Sequence, residues 1–428
     1  MSLKNDIEEL LSANVIDSDT AARIRKYYDE HPGSASHRLI LIFGVLGALI
    51  SGMGIILIMA YNWSDLSIQT KSIISFIPLA LAQITGAFTL WQRQGRREWH
   101  EGSGVALFMA VGACLFLISQ IYHFPGNATS LILTWMLLIV PVVYILDAGV
   151  VSLLYLVGIT WYTSSLSYFS YPYSEAWEYW GLLFLILPYY VHLIRQRPQS
   201  MITTLHHWVV PFSLTIILGG FTTHYGLWMY IAYFSMFGMF FILGNSHPFR
   251  SYIKIQNGYY LIGQIGSAIL LIMLSFKWFW KSLPEHIHPL SEAFRAPEFW
   301  LATLFTTSTL VMFLLRIRTY PGLLKEPFAY VFLFFPLCLY VGLISEFAYI
   351  LVNLIIFVLA IMTIRKGNLS SDFTELNFGL LIVAVLIFSR FFDSNISFLI
   401  RGIAFILVGV GFFFVNYTMY RNKVAHEK

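Results

Sequence analysis

The sequence predicts an all-α, polytopic transmembrane helical bundle, and three observations carry that prediction. Apolar runs recur from Leu39 to Tyr417, each roughly 20 residues long and able to cross a hydrocarbon core about 30 Å thick as a helix. Of all residues, 58% are hydrophobic and only 11% charged, against about 25% charged in soluble domains. The Lys and Arg side chains gather in alternate connections between the runs, as the positive-inside rule requires.

Residues 1–37 form a charged leader that reads as a short cytoplasmic helical hairpin. Leu3, Ile7, Leu10 and Leu11 fall on one helical face. Asp17-Ser18 can cap a second helix carrying Ala22, Ile24, Tyr27 and Tyr28, which Pro32-Gly33 ends. The first apolar run follows this leader and is too long for a signal-peptide core, so it is expected to remain as an anchor.

Residues 38–420 form the transmembrane domain, with about 14 spans: 39–61, 72–91, 103–122, 129–146, 149–166, 177–194, 203–220, 226–244, 258–276, 298–315, 327–344, 346–364, 374–391 and 396–418. His206, His207 and Pro211 interrupt the seventh span. The eleventh and twelfth meet at Ser345-Glu346, where one broken element is the alternative to two helices. Small residues at Gly44, Ala48 and Gly52, and at Gly263 and Ser267, mark faces where helices can approach closely.

Residues 421–428 are the tail. With the N-terminus in the cytoplasm, twenty of the 26 Lys and Arg residues fall in inner segments and five in outer ones, and Arg401 lies inside the last span. Both termini are therefore expected in the cytoplasm.

A net charge of +4 reports orientation here. No basic patch accompanies a nucleic-acid-binding fold, so nucleic acid is not an expected partner. Cys114 and Cys338 lie in apolar runs, without the spacing of a disulfide framework or metal site. No metal and no cofactor is expected. Glu285, His286 and His288 in the long outer loop are a weak zinc pattern, because a fourth ligand at fixed spacing is missing. His192, His206 and His207 could relay protons, yet no acidic chain crosses the mid-membrane beside them.

The candidate site is a polar cluster at the outer boundary. Asn62, Trp63 and Asp65 end the first span, and Gln120, Tyr122 and His123 end the third. Arg390, Asp393 and Arg401 occupy the connection between the last two spans and the start of the final one. Arg401 lies five residues into its span, about 7.5 Å deep on a helix. An ionised side chain at membrane depth costs about 2.5 to 3.5 kcal/mol on insertion scales, so such residues pair, line a wet cavity or mark a substrate path. Arg suits an anionic ligand because its planar fork matches phosphate or carboxylate. A structural pair with Asp393, or snorkelling to the interface, satisfies the same physics, and Trp63 and Tyr122 also fit ordinary interfacial anchors.

Tyr61-Asn62-Trp63, Gln120-Ile-Tyr122-His123 followed by Pro125-Gly126, Trp135, and Arg390-Phe-Phe-Asp393 with Arg401-Gly402 resemble a bacterial predicted-membrane-protein family called domain of unknown function 2157. The leader stretch Asn14-Val-Ile-Asp-Ser-Asp is similar to that family's N-terminal region, with Asn14 where the family usually has Gly. The resemblance spans roughly residues 1–160 and 380–420. It implies a multi-pass protein of the bacterial inner membrane and hints at a protein partner, and it brings no established activity.

Three functional classes fit these readings. The first is a transporter or flippase-like protein whose outward-facing polar cavity takes an anionic small molecule or a lipid-linked envelope substrate. The second is a non-catalytic scaffold or sensor that partners another envelope protein. The third is a transferase using a lipid-linked donor, with Asp65 or Glu178 as general base. The balance lies against an enzyme, and the lipid bilayer is a partner in every case.

Overall fold

The computed structural model describes residues 7, 10–13, 15–30, 42–47, 49–54, 57, 66–124, 128–169, 175, 177–222, 226–281, 294, 296–345 and 347–393, with scattered positions from 399 to 417. Among the described residues there is no strand, and ten helices are long and apolar enough to cross a membrane. The chain is a multi-pass, all-α membrane protein.

The leader helix α1 (Ser18–Glu30) begins as expected, with Asp17 Oδ1 accepting the Thr20 N–H at 3.0 Å. Ala21 is buried and Ala22 exposed. Of the first predicted span, 42–47, 49–54 and residue 57 are described and helical. Most of the last span lies outside the described residues.

The chain divides into two compact units. The first comprises residues 1–159 and 182–189, and the second residues 160–181 and 190–428. In the first unit, α2 (Ile68–Gln92) and α3 (Arg97–Tyr122) form an antiparallel hairpin through a four-residue turn, and α4 (Ala128–Leu146) packs on α3. Ser67 starts α2 by accepting the Thr70 N–H at 3.2 Å. Trp135 of α4 lies against Gly112, where an added Cβ would come within 2.5 Å of the indole, and its Nε1 donates to the Phe108 carbonyl at 2.8 Å. Helices α5 (Gly149–Ser167) and α6 (Glu178–Gln196) each contribute residues to both units. Within the first, the Tyr155 hydroxyl donates to the Leu182 carbonyl at 2.9 Å.

In the second unit, α7 (Met201–Gly219) runs continuously through His206, His207 and Pro211, with both histidines fully buried. The expected interruption is absent because the imidazoles find partners inside the unit. His206 Nδ1 bonds the Ile202 carbonyl at 2.8 Å, and His207 Nδ1 meets the Tyr190 hydroxyl at 2.6 Å. Helix α8 (Gly226–Gly244) packs on α9 (Gly258–Leu274) and on α11 (Pro297–Thr319), which follows the short α10 (Lys277–Lys281).

Gly263 serves the close approach its spacing implied: an added Cβ would lie 2.5 Å from the Phe241 nitrogen and 2.6 Å from the Phe237 carbonyl oxygen. Gly44, by contrast, has no atom of another element within 4 Å of that position among the described residues. Helices α12 (Val331–Ile344) and α13 (Ala348–Leu369) are separate, broken at extended Ser345 (φ −152°, ψ 141°). Helix α14 (Phe373–Asp393) pairs with α13.

Both units leave large apolar side chains uncovered, among them Ile84, Leu81, Leu314 and Leu354. In water such surfaces would demand a partner; on spans of this length they meet lipid tails.

Candidate functional site

The predicted outer cluster falls only partly among the described residues. Asn62, Trp63, Asp65 and Arg401 lie outside them, as do the side chain of Asp393 and the zinc pattern Glu285, His286 and His288. In the first unit, Gln120, Tyr122 and His123 sit exposed at the end of α3. The Tyr122 hydroxyl is 3.0 Å from Ser72 Oγ on α2, and His123 ends α3 in a left-handed conformation (φ 49°, ψ 43°). Glu178, the alternative base, is exposed in the first turn of α6.

In the second unit, Arg390 of α14 donates through Nη2 to Ser275 Oγ at 2.7 Å, and its guanidinium lies 5.0 Å from the Phe276 ring centroid. Ser275 is fully buried at the end of α9, and its carbonyl accepts from Asn353 Nδ2 at 2.9 Å. Arg390 thus ties α14 to α9 by a charge-assisted bond.

The most developed polar site lies at the other end of the same two helices. Glu375, 2% exposed in the first turn of α14, accepts from Lys254 Nζ at 2.6 Å and from the Tyr260 hydroxyl, and Gln264 Nε2 approaches at 3.4 Å. Lys254 also binds Asp372 at 2.6 Å. Lys366 of α13 binds Glu326 at 2.6 Å and lies 3.7 Å from Glu375. Three carboxylates and two ammonium groups from four stretches of chain therefore share one cluster.

An acidic residue in the first turn of a helix also favours the helix dipole. At the loop side of the cluster, burial opposes the Lys254 charge, but Asp372 and Glu375 outweigh it and raise its pKa. Burial likewise opposes charge on Asp372, yet Lys254 and the backbone N–H groups of Glu375 and Thr374 hold that carboxyl below its ordinary value.

A second buried acid organises the first unit. Glu101, 1% exposed, receives the backbone N–H groups of Gly149 and Val150 at 3.0 and 2.8 Å. A carboxylate on one helix thus caps the start of another, where the N–H groups lack intrahelical partners.

Sequence reading missed both acids as site residues. Glu101 stands two residues before a predicted span and Glu375 one residue inside another, positions where charge is ordinary, and their partners are distant in sequence. Trp135, in contrast, belongs to the resemblance motifs, and its indole joins α4 to α3. Residues 8–152 match the model of the family described as Predicted membrane protein (DUF2157). The DUF2157 match runs from the leader to the first turn of α5 and includes Gln120, Tyr122, His123, Trp135 and Glu101. It bears out the resemblance over that stretch and does not extend to residues 380–420. No curated protein and no solved structure matches the chain.

Proposed function

We propose that the chain is a transporter or flippase-like protein of the bacterial inner membrane, with both termini cytoplasmic, handling an anionic small molecule or lipid-linked envelope substrate. The observation that carries this reading is the charge placed at both ends of the α9–α14 pair. Glu375 and Arg390 are fifteen residues apart on α14, about 22 Å at 1.5 Å per residue.

Charged groups at membrane depth are costly and default to function. Ion-pair networks that join several elements are among the contacts that switching proteins break and remake. In this reading the Lys254, Glu326, Lys366, Asp372 and Glu375 network holds the inner end closed. Arg390, Asp393 and Arg401 are the proposed outward-facing contacts of the second unit, with Arg401 on the substrate's negative charge, and Asn62, Trp63, Asp65, Gln120, Tyr122 and His123 are the proposed outer polar residues of the first.

The test is reconstitution into vesicles carrying a head-group-fluorescent anionic lipid, with translocation followed by quenching from outside. Wild type should translocate the probe faster than protein-free vesicles, and Arg401→Ala and Glu375→Gln should each reduce that rate at equal protein content. Flux unchanged by both substitutions would end the transport reading.

A second reading, a scaffold or sensor, draws on the leader, where Leu10, Leu11 and Val15 are 40%, 37% and 66% exposed. Uncovered apolar side chains on a charged leader suit a protein partner. Crosslinking from Val15 in native membranes should then recover one dominant protein, and recovery of lipid alone would count against a scaffold.

A further inference from the structure

The first unit holds a groove of about 620 Å³ between α2, α3 and α4. Its walls are apolar except for Gln83. On α2 the lining residues Phe76, Leu79, Gln83, Gly86 and Leu90 recur every three or four positions, so they form one helical stripe. The next position on that stripe is Arg93. On α3 the stripe Leu107, Val111, Cys114 and Ile118 extends back, seven residues before Leu107, to His100. The groove's walls therefore lead from hydrocarbon to a basic turn.

At that turn three nitrogens are shielded from solvent yet lack hydrogen-bond partners among the described residues: Arg93 Nε, Arg97 Nη2 and His100 Nε2. The Arg93 guanidinium is held 5.8 Å from the Phe88 ring and 5.4 Å from Trp99. Arg97 lies in the field of Glu101, whose two oxygens each accept a backbone N–H, from Gly149 and Val150. His100 Nδ1 is 2.7 Å from the carbonyl of Leu146, itself a groove residue. A carbonyl only accepts, so Nδ1 carries a proton, and Nε2 is left for a partner outside the described residues.

Buried polar atoms without partners call for an explanation such as an unseen ligand. Exposed Trp91 and Trp99 flank the turn, the residue type that marks the membrane interface.

We propose that this groove and its basic turn bind an anionic phospholipid. The phosphate meets Arg93 and Arg97, a headgroup oxygen hydrogen-bonds His100 Nε2, and one acyl chain lies along the α2 stripe. From Phe76 to Leu90 that stripe is roughly 21 Å long at 1.5 Å per residue, enough for a chain that fills one leaflet of about 15 Å. Basic pockets between spans at a membrane surface are a recurring way to hold lipid headgroups. The site lies in the first unit and does not rest on the transport reading.

The test is lipid binding to the purified full chain in mild detergent, by native mass spectrometry and ligand-induced thermal shift. Phosphatidylglycerol and phosphatidylcholine with identical acyl chains are compared, and inorganic phosphate serves as competitor. Phosphatidylglycerol should bind about tenfold more tightly than phosphatidylcholine, and the double variant Arg93→Gln with Arg97→Gln should remove that preference. Ala87→Trp, which fills the groove from an exposed position, should weaken both lipids while leaving the variant folded by circular dichroism. Equal affinity for the two lipids, or a preference that survives the double variant, overturns the proposal. Displacement of phosphatidylglycerol by inorganic phosphate at similar concentration overturns it too, because the site would then be one for the free anion.

Discussion

Glu101 shows how one side chain can join two helices that are not neighbours in sequence. Its carboxylate satisfies two N–H groups at the start of α5, and each donor left buried and unpaired costs about 1–3 kcal/mol. Glu101→Ala should therefore lower the Tm in detergent well below that of an exposed control such as Glu178→Ala. Glu101→Gln keeps one acceptor oxygen and should recover about half of the loss, a ranking that differential scanning fluorimetry can check. An equal Tm for Glu101→Ala and the control would show that water replaces the carboxylate at little cost. The sequence signalled an acid near a span boundary. The acid's role depended on a partner 48 residues away, which local periodicity does not encode.

Among elements, the α13–α14 pair and the loop carrying Lys254 make the pH dependence specific. Asp372 has a depressed pKa, so its stabilising effect is present above its ordinary value of 3.8 and is lost as pH falls through the lower folded value. Lys254 has a raised pKa, so its effect is present below 10.5 and is lost as pH rises through the higher folded value. The Tm gap between wild type and Asp372→Asn should hold steady between these limits and narrow on the acid side. A gap that stays constant down to pH 3 would contradict the pairing.

A second prediction at this scale concerns α8 and α9. Gly263→Ala places a methyl against backbone atoms that cannot rotate away, and such overpacking typically costs about 1–3 kcal/mol. The same substitution at Gly44 should have little effect on Tm. Spacing alone marked both glycines as candidates for close approach, and only the presence of a neighbouring backbone separates them. Helix positions were legible because long apolar runs and Ser or Asp caps are local signals. The ion-pair network was not, since Lys254 and Asp372 are 118 residues apart and each by itself resembles an ordinary loop charge.

At the scale of the whole chain, hydropathy and the alternation of Lys and Arg predict topology before any contact is known. Fusion of a fluorescent reporter after Lys428 should give a bright cell, and a periplasm-dependent phosphatase at the same place should stay inactive. Cysteines introduced at residues 286 and 288 should react with a membrane-impermeant maleimide added from outside. The reverse pattern would invert the orientation and move the Glu375 network to the outer face. The predicted outer cluster drew on spans from both ends of the sequence, so its assembly depends on tertiary placement that composition cannot supply.

The Glu101 cap also has a consequence for synthesis. Gly149 leaves the ribosome 48 residues after Glu101, an interval of about 2–10 s at 5–20 residues per second. Throughout that time α3 must remain at the bilayer with an acid that has no helix start to receive. A nascent chain released after Leu146 should therefore look unfinished to membrane quality control, while one released after Ser167 should not. Pulse-chase of the two truncations would register this as a shorter half-life for the first, and would time the moment at which the DUF2157 segment becomes self-sufficient.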